Sequence, residues 1–197
     1  MKHVLISTAL ATAAVFATTA HAEFLGEISP SEAFDWASNN DNVHIVDVRT
    51  LNEWVLVGHP GPSKLVDSKN GKAKGLNYNE GAALVGKVHN YPFRTGLPGV
   101  FAPLNPNFVT DIQGAFDPSQ DTLLFICRSG SRAAAAADLM ALEANGNYMT
   151  YNIADGFEGP TNGDDDPGRD TGYRDVSGWV NDGLPYNFSK AGGYGVE

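Results

Sequence analysis

The hydrophobic positions of the chain group into short apolar runs separated by polar and helix-like stretches. Residues 44–48 form a compact run rich in β-branched side chains between polar segments, which is typical of a buried strand. Residues 122–126 form a second apolar run that ends directly at Cys127, and residues 148–153 form a third. The pattern therefore predicts three buried strands, the second of which leads into a cysteine.

Helix signals occupy the stretches before and between these runs. The serine, proline and glutamate of residues 29–32 make a capping box with proline at the first helical position, and predict a helix to about residue 38. A second helix is predicted from about Pro106 to the break at Asp117-Pro118. The alanine-rich residues 131–144 predict a third, which an asparagine and a glycine then stop.

Strands that alternate with helices predict an α/β fold with a largely parallel sheet and helices on both faces. Ligands of such a fold are expected at the carboxyl ends of its strands. Residues 60–86 show little periodicity and are interpreted as a long inserted loop. Residues 155–197 are rich in glycine and aspartate, and we expect them to wrap the domain with Trp179, Leu184 and Tyr186 as apolar anchors.

The N-terminal residues 1–22 have the pattern of a secretory signal peptide. Lys2 gives a positive start, residues 4–17 give an apolar run too short to span a bilayer, and Ala20-His21-Ala22 fits cleavage before Glu23. The remaining chain has the length of a single domain and is expected in the periplasm or secreted. An uncleaved anchor would leave the same domain tethered on the same side of the membrane.

Charge and cysteine content narrow the function. The formal net charge of −10 argues against nucleic acids and anionic membranes as partners, and no membrane insertion is expected after signal cleavage. Between Lys64 and Arg94 six basic residues stand against two acidic ones, so the insertion is a candidate positive flap for an anionic donor or acidic partner; a solvated or neutralised loop is the alternative.

Cys127 is the only cysteine, so no internal disulfide forms, and a lone thiol in an oxidising compartment favours a chemical role.

The segment that follows the second strand carries the candidate chemistry. A helix start presents unpaired N–H groups and the positive end of the dipole, and a glycine lets successive N–H groups converge on one atom. With two arginines beside it, a cysteine here is favoured as a thiolate nucleophile. The alternative is an inert buried cysteine at a strand end. The residues of this segment are Cys127, Arg128, Ser129, Gly130, Ser131 and Arg132.

This loop resembles the active-site loop of rhodanese domains, and the resemblance spans roughly residues 27–188. It implies a rhodanese-like fold and the transfer of a sulfane sulfur from a donor such as thiosulfate, through the cysteine, to a thiophilic acceptor. The chain departs from the family pattern in two places. The segment after Gly58-His59 runs into the insertion where the family has a strand, and residues 89–92 are interpreted as that strand, displaced along the chain. After the last strand, the usual Gly-Gly is replaced by Asp155-Gly156. Further resemblances lie in Val46-Asp47-Val48-Arg49 with Glu53, in Gly58-His59 and in Asp155-Gly156-Phe157.

The resemblance assigns a role to each loop residue. Cys127 attacks the outer sulfur of a small anionic donor and carries it as a persulfide, so that neither a separate cofactor nor a metal is expected. Arg128 is expected to hold the donor's negative charge, and the loop amides to cradle the terminal sulfur, with Ser129 and Ser131 as added hydroxyl donors. For Arg132 a direct role and a bond to an acidic neighbour stand as equal alternatives. The acceptor is a small thiophile or a protein.

Other polar residues are interpreted as structural. The Asp47–Arg49 pair with Glu53 is expected to form an ion-pair network that shapes the pocket. His59 and His89 lack ligand spacing and are expected to have structural roles. The acidic run at residues 164–166 lacks the alternating spacing of a calcium loop and is predicted to be solvated.

Two other functions remain as alternatives. A cysteine phosphatase or arsenate reductase also surrounds an oxyanion with a cysteine and an arginine at a helix start. Four residues separate Cys127 from Arg132, whereas the phosphatase pattern has five, and the shorter loop suits one sulfur atom better than a phosphate. A non-catalytic sulfur carrier or binding module on the same fold differs from an enzyme only in turnover.

Overall fold

The computed structural model describes residues 24–61, 81–96, 102–143, 147–161 and 173–188. The predicted signal peptide, most of the predicted insertion with its lysines, the asparagine–glycine stop and the acidic run at 164–166 lie outside the described residues. Within the described part, no helix is long and apolar enough to cross a membrane.

In the described ranges, seven strands form a central sheet and a small ribbon. The sheet has the order β1-β6-β5-β2-β4, and all its neighbouring pairs are parallel. The ribbon pairs β3 with β7 in antiparallel fashion. The strands are β1 (Gly26–Ile28), β2 (Val43–Asp47), β3 (His59–Pro60), β4 (Val88–Asn90), β5 (Thr122–Ile126), β6 (Met149–Ile153) and β7 (Tyr186–Asn187).

Four helices are defined among the described residues, and three of them follow the sequence prediction closely. The capping box of the first is confirmed: Ser29 Oγ accepts from the Glu32 N–H at 3.2 Å, and Glu32 Oε2 accepts from the Ser29 N–H at 2.9 Å. The helices are α1 (Pro30–Asn39), α2 (Leu51–Val57), α3 (Phe108–Ala115) and α4 (Ser131–Glu143). The sequence prediction did not include α2.

Both faces of the sheet are covered, as an α/β fold with a largely parallel sheet predicts. Because side chains alternate along a strand, β5 directs Leu123 and Phe125 to the face packed by α3 and α4. It directs Leu124 and Ile126 to the opposite face, which α1, α2 and the buried Trp179 cover. The central strands therefore read as continuous apolar runs.

The predicted displaced strand and the predicted C-terminal wrap both have places in this architecture. β4 pairs with β2; it overlaps the strand predicted at residues 89–92 but begins one residue earlier, at Val88, and ends at Asn90. In residues 173–188, Trp179 is fully buried and its indole Nε1 donates to the Pro185 carbonyl at 2.9 Å. Leu184 and Tyr186 pack against the same apolar cluster. This segment covers the face of the sheet that carries α1 and α2.

Candidate active site

Cys127 lies at the carboxyl end of β5, the central strand of the sheet. Its side chain is 1% exposed, and three residues separate it from α4. Gly130 has a φ of +94°, in the region that favours glycine, and so turns the chain into the helix. The first helical hydrogen bond runs from the Ala134 N–H to the Gly130 carbonyl at 3.0 Å. The N–H groups that precede Ala134 in the helix therefore have no acceptor within it and are available to an anion.

The turn after β6 holds the other side of this loop. The Phe157 N–H donates to the Cys127 carbonyl at 2.8 Å, and the Glu158 N–H donates to the Arg128 carbonyl at 2.9 Å. Gly156, with a φ of +62°, makes this approach possible, because a Cβ there would lie 2.5 Å from the Cys127 carbonyl oxygen. Asp155, where the rhodanese pattern has glycine, also has a positive φ of 60°, which aspartate tolerates better than most residues.

Arg132 is bound to a carboxylate from another element. Its Nη1 donates to Glu53 Oε2 at 3.0 Å and its Nη2 donates to Glu53 Oε1 at 2.7 Å. Glu53 Oε2 also accepts from the N–H and the hydroxyl of Thr50, which caps α2. Burial raises the pKa of Glu53, but the hydrogen bonds and charge of Arg132, with the Thr50 bonds, outweigh it and lower the pKa to about 2. Of the two alternatives for Arg132, the geometry favours the acidic neighbour.

Replacing Glu53 with glutamine is expected to flatten the acid dependence of stability. The pKa of Glu53 in the folded protein, about 2, lies below the usual value of 4.5, so the unfolded chain binds a proton first as the pH falls. The ionised carboxylate therefore contributes stability above pH 4.5 that is lost toward pH 2. We expect this contribution to the free energy of unfolding to be roughly 2 kcal/mol, because Arg132 is partly open to solvent and the solvent screens part of the interaction.

Urea unfolding followed from about pH 6 to about pH 3 measures this contribution. The unfolding midpoint of the wild type should fall more steeply than that of Glu53→Gln. Glu143→Gln, a change at the exposed end of α4, serves as the control and should follow the wild type. Equal acid dependence in Glu53→Gln and in the wild type would contradict the assignment.

The remaining loop residues face the surface to different degrees. Gly130 is buried, Ser129 is half-buried, and Ser131 is exposed at the start of α4. The Arg128 side chain is 47% exposed, and its Nε lies 3.3 Å from Glu158 Oε2. Sequence reasoning did not identify Glu158, since no motif marks a carboxylate 30 positions away as a partner of Arg128.

Asp47 and Arg49 form a fully buried ion pair beside the loop. Arg49 Nε donates to Asp47 Oδ1 at 2.9 Å, and Arg49 Nη2 donates to Asp47 Oδ2 at 2.6 Å and to the Gly58 carbonyl at 2.7 Å. The guanidinium lies over the Phe157 ring, 4.1 Å from its centroid. The pair thus connects the end of β2, the end of α2 and the turn that holds Cys127. The expected network of Asp47, Arg49 and Glu53 is therefore divided: Asp47 pairs with Arg49, whereas Glu53 pairs with Arg132.

The two histidines interpreted as structural, His59 and His89, pack against other aromatic rings. His59 stacks on Trp54, with ring centroids 3.7 Å apart, and its Nδ1 lies 2.8 Å from the Pro60 carbonyl oxygen. His89 Nε2 lies 3.3 Å from His44 Nδ1, and burial, together with the charge of His44, lowers the pKa of His89 to about 4. Among the described residues, no group of three histidine, cysteine or carboxylate side chains is placed to hold a metal ion.

Comparison with known proteins agrees with this architecture. The sequence pattern of the Rhodanese-like domain matches residues 29–161. An uncharacterized protein of Rickettsia rickettsii is 31% identical over 82% of this chain and 96% of its own length, and one of Rickettsia prowazekii is also 31% identical over the same shares. The crystal structure of Rv0390 from M. tuberculosis superposes with a TM-score of 0.60 at 28% identity, covering 85% of this chain and 100% of that chain. The chain therefore belongs to the rhodanese-like domain family.

Proposed function

We propose that the protein is a sulfurtransferase of the thiosulfate sulfurtransferase type, which moves a sulfane sulfur from an anionic donor such as thiosulfate to a thiophilic acceptor. The observation that carries the proposal is the placement of Cys127 between the central strand and the start of α4. There the carbonyl groups of the loop are bound by the turn after β6, whereas the amides at the helix start remain free of helical acceptors. A thiolate or a persulfide is the kind of anion that such amides stabilise.

The transfer proceeds in two balanced steps. The Cys127 thiolate attacks the outer sulfur of thiosulfate, a bond forms between Sγ and that sulfur, and the donor's S–S bond breaks with its electron pair leaving on sulfite. An acceptor such as cyanide then attacks the outer sulfur of the persulfide, forms thiocyanate and returns the thiolate. No oxidant or reductant enters either step, and the total charge is conserved in each.

Separate residues of the loop serve these steps. Arg128, at the exposed mouth, attracts the anionic donor, and the amides from Ser129 to Arg132 cradle the terminal sulfur. Arg132 acts through Glu53, because both of its terminal nitrogens bond to that carboxylate and so fix the first turn of α4 to α2. This arrangement also disfavours a phosphatase, whose loop arginine must contact the oxyanion.

Mass spectrometry of the purified protein tests the covalent intermediate. Incubation with thiosulfate should add the mass of one sulfur atom, which cyanide or a reductant should remove. Cys127→Ser should take up no sulfur, since the variant lacks the attacking thiolate. Equal sulfur uptake by Cys127→Ser would disprove the assignment.

Turnover separates an enzyme from a carrier. We expect the protein to convert thiosulfate and cyanide to thiocyanate over many cycles, whereas a stoichiometric carrier would release no more than one sulfur per chain. The signal-like N-terminal segment supports a periplasmic or secreted location for this reaction, with small donors and a small or protein acceptor as partners.

A further inference from the structure

The cation at the mouth of the sulfur loop is already paired with a carboxylate of this chain. Arg128 and Glu158 are 47% and 23% exposed, and their charged groups approach to 3.3 Å. The backbone holds Glu158 in place, because its N–H donates to the Arg128 carbonyl at 2.9 Å and its own carbonyl accepts from Asn181 Nδ2 at 3.1 Å. A negative charge therefore accompanies the positive charge that an incoming donor meets.

This pairing discriminates between donors by their charge. The electrostatic energy of a donor near Glu158 is proportional to the donor's own charge. Thiosulfate carries two negative charges, whereas a sulfane sulfur attached to an organic group carries one. The repulsion from Glu158, which offsets part of the attraction to Arg128, is thus about twice as large for thiosulfate.

A largely apolar cavity lies beside the turn after β6. It has a volume of about 160 Å³, and Glu158 forms part of its wall together with Val57, Phe157, Tyr186 and Phe188. Arg174 also lines the cavity, and its Nη1 donates to the Gly159 carbonyl. Apolar cavities of roughly this volume, about 150 Å³, hold a benzene ring. The cavity therefore has room for a small hydrophobic group, and Glu158 belongs both to its wall and to the ion pair with Arg128.

The geometry points to a monoanionic organic sulfane-sulfur donor, with its organic group in this cavity, as the substrate class that the site favours over thiosulfate. The inference rests on the proposed function of Cys127. With an organic thiosulfonate, the thiolate attacks the terminal sulfur, the Sγ–S bond forms, and the donor's S–S bond breaks with its electron pair leaving on the sulfinate. Charge is conserved, and no other reactant is needed.

Glu158→Gln tests the charge discrimination. Thiosulfate and methanethiosulfonate are the probes, and the rate of persulfide formation on Cys127 is measured at low salt. Each rate is divided by the rate at which the same donor reacts with free glutathione, which corrects for the intrinsic reactivity of the donor. Glu158→Gln should accelerate loading from thiosulfate about fivefold and from methanethiosulfonate about twofold, because the effect scales with donor charge. Arg128→Ala should shift the ratio of the two rates in the opposite direction, and Glu143→Gln should leave it unchanged.

Val57→Phe tests the cavity. In the wild type, benzenethiosulfonate should load Cys127 about tenfold faster than methanethiosulfonate after the same correction, since its ring leaves water on binding. Filling the cavity with the larger side chain should remove this advantage.

The outcomes separate this inference from the function on which it rests. If the wild type forms no persulfide with any of the three donors, the proposed sulfur transfer is wrong. If persulfide forms but Glu158→Gln changes the thiosulfate and methanethiosulfonate rates by the same factor, Glu158 has only a structural role and the inference is overturned. An unchanged benzenethiosulfonate advantage in Val57→Phe also overturns it, because the organic group then binds elsewhere.

Discussion

Gly156→Ala is expected to cost roughly 3 kcal/mol or more of stability and to reduce sulfur transfer at least about tenfold. The added Cβ would lie 2.5 Å from the Cys127 carbonyl oxygen and 2.8 Å from the Arg128 carbonyl carbon and the Ser129 nitrogen. These are backbone atoms that cannot rotate away. The turn after β6 must therefore move off the sulfur loop, and the hydrogen bonds from Phe157 and Glu158 must weaken.

Gly183→Ala is the matched control for this effect. Gly183 has a φ of +74°, close to the +62° of Gly156, but a Cβ added there would meet no described atom within 4 Å. The control therefore carries the conformational penalty of about 1 kcal/mol without the steric one. Thermal unfolding and thiosulfate-dependent loading of Cys127 measure both variants. Equal losses in the two would show that the contact with the sulfur loop is unimportant.

The parts of the fold predicted from sequence are those that local signals determine. β5, Cys127 and α4 follow one another directly, and the predicted strand at 122–126 has the observed bounds. The capping box at Ser29 identified the start of α1 at Pro30. Local pattern is sufficient here because each element buries an uninterrupted apolar face or begins at its own cap.

Two elements that the sequence prediction lacked are short and have little local signal. β3 has two residues and exists through its pairing with β7. α2 has seven residues, and its one local signal is a second capping box, in which Thr50 Oγ1 accepts from the Glu53 N–H at 3.3 Å. The sequence contains that signal, but the prediction interpreted Asp47, Arg49 and Glu53 only as charges.

The candidate site shows the same division. The sequence identified the cysteine, the glycine turn and both loop arginines, because all lie within six consecutive positions. It could not identify what each arginine binds. Glu53 and Arg132 are 79 positions apart, and Arg128 and Glu158 are 30 apart, so their pairing is a consequence of the sheet order. Ion pairs of this kind require the tertiary structure.

Asp47→Asn is expected to destabilise the protein by about 3–5 kcal/mol, because it leaves Arg49 charged and buried without its counterion. Both side chains of the pair are 0% exposed, so water cannot replace the lost carboxylate. Arg49 also holds the Gly58 carbonyl and the Phe157 ring, and its displacement should carry the turn after β6 away from Cys127. Loss of sulfur transfer should therefore accompany loss of stability.

A double-mutant cycle with Arg49→Met isolates the pair itself. Asp47→Asn combined with Arg49→Met should cost at least about 2 kcal/mol less than the sum of the single changes, since neither unpaired charge remains. Asp41→Asn is the control, because it breaks the ion pair with Lys87 at the surface, where Asp41 is fully exposed, and should leave the urea midpoint unchanged. Additive single changes would contradict the pairing. Coupling would show that the charges are tolerated in the core only together, and that this pair supports the turn against which the sulfur loop is built.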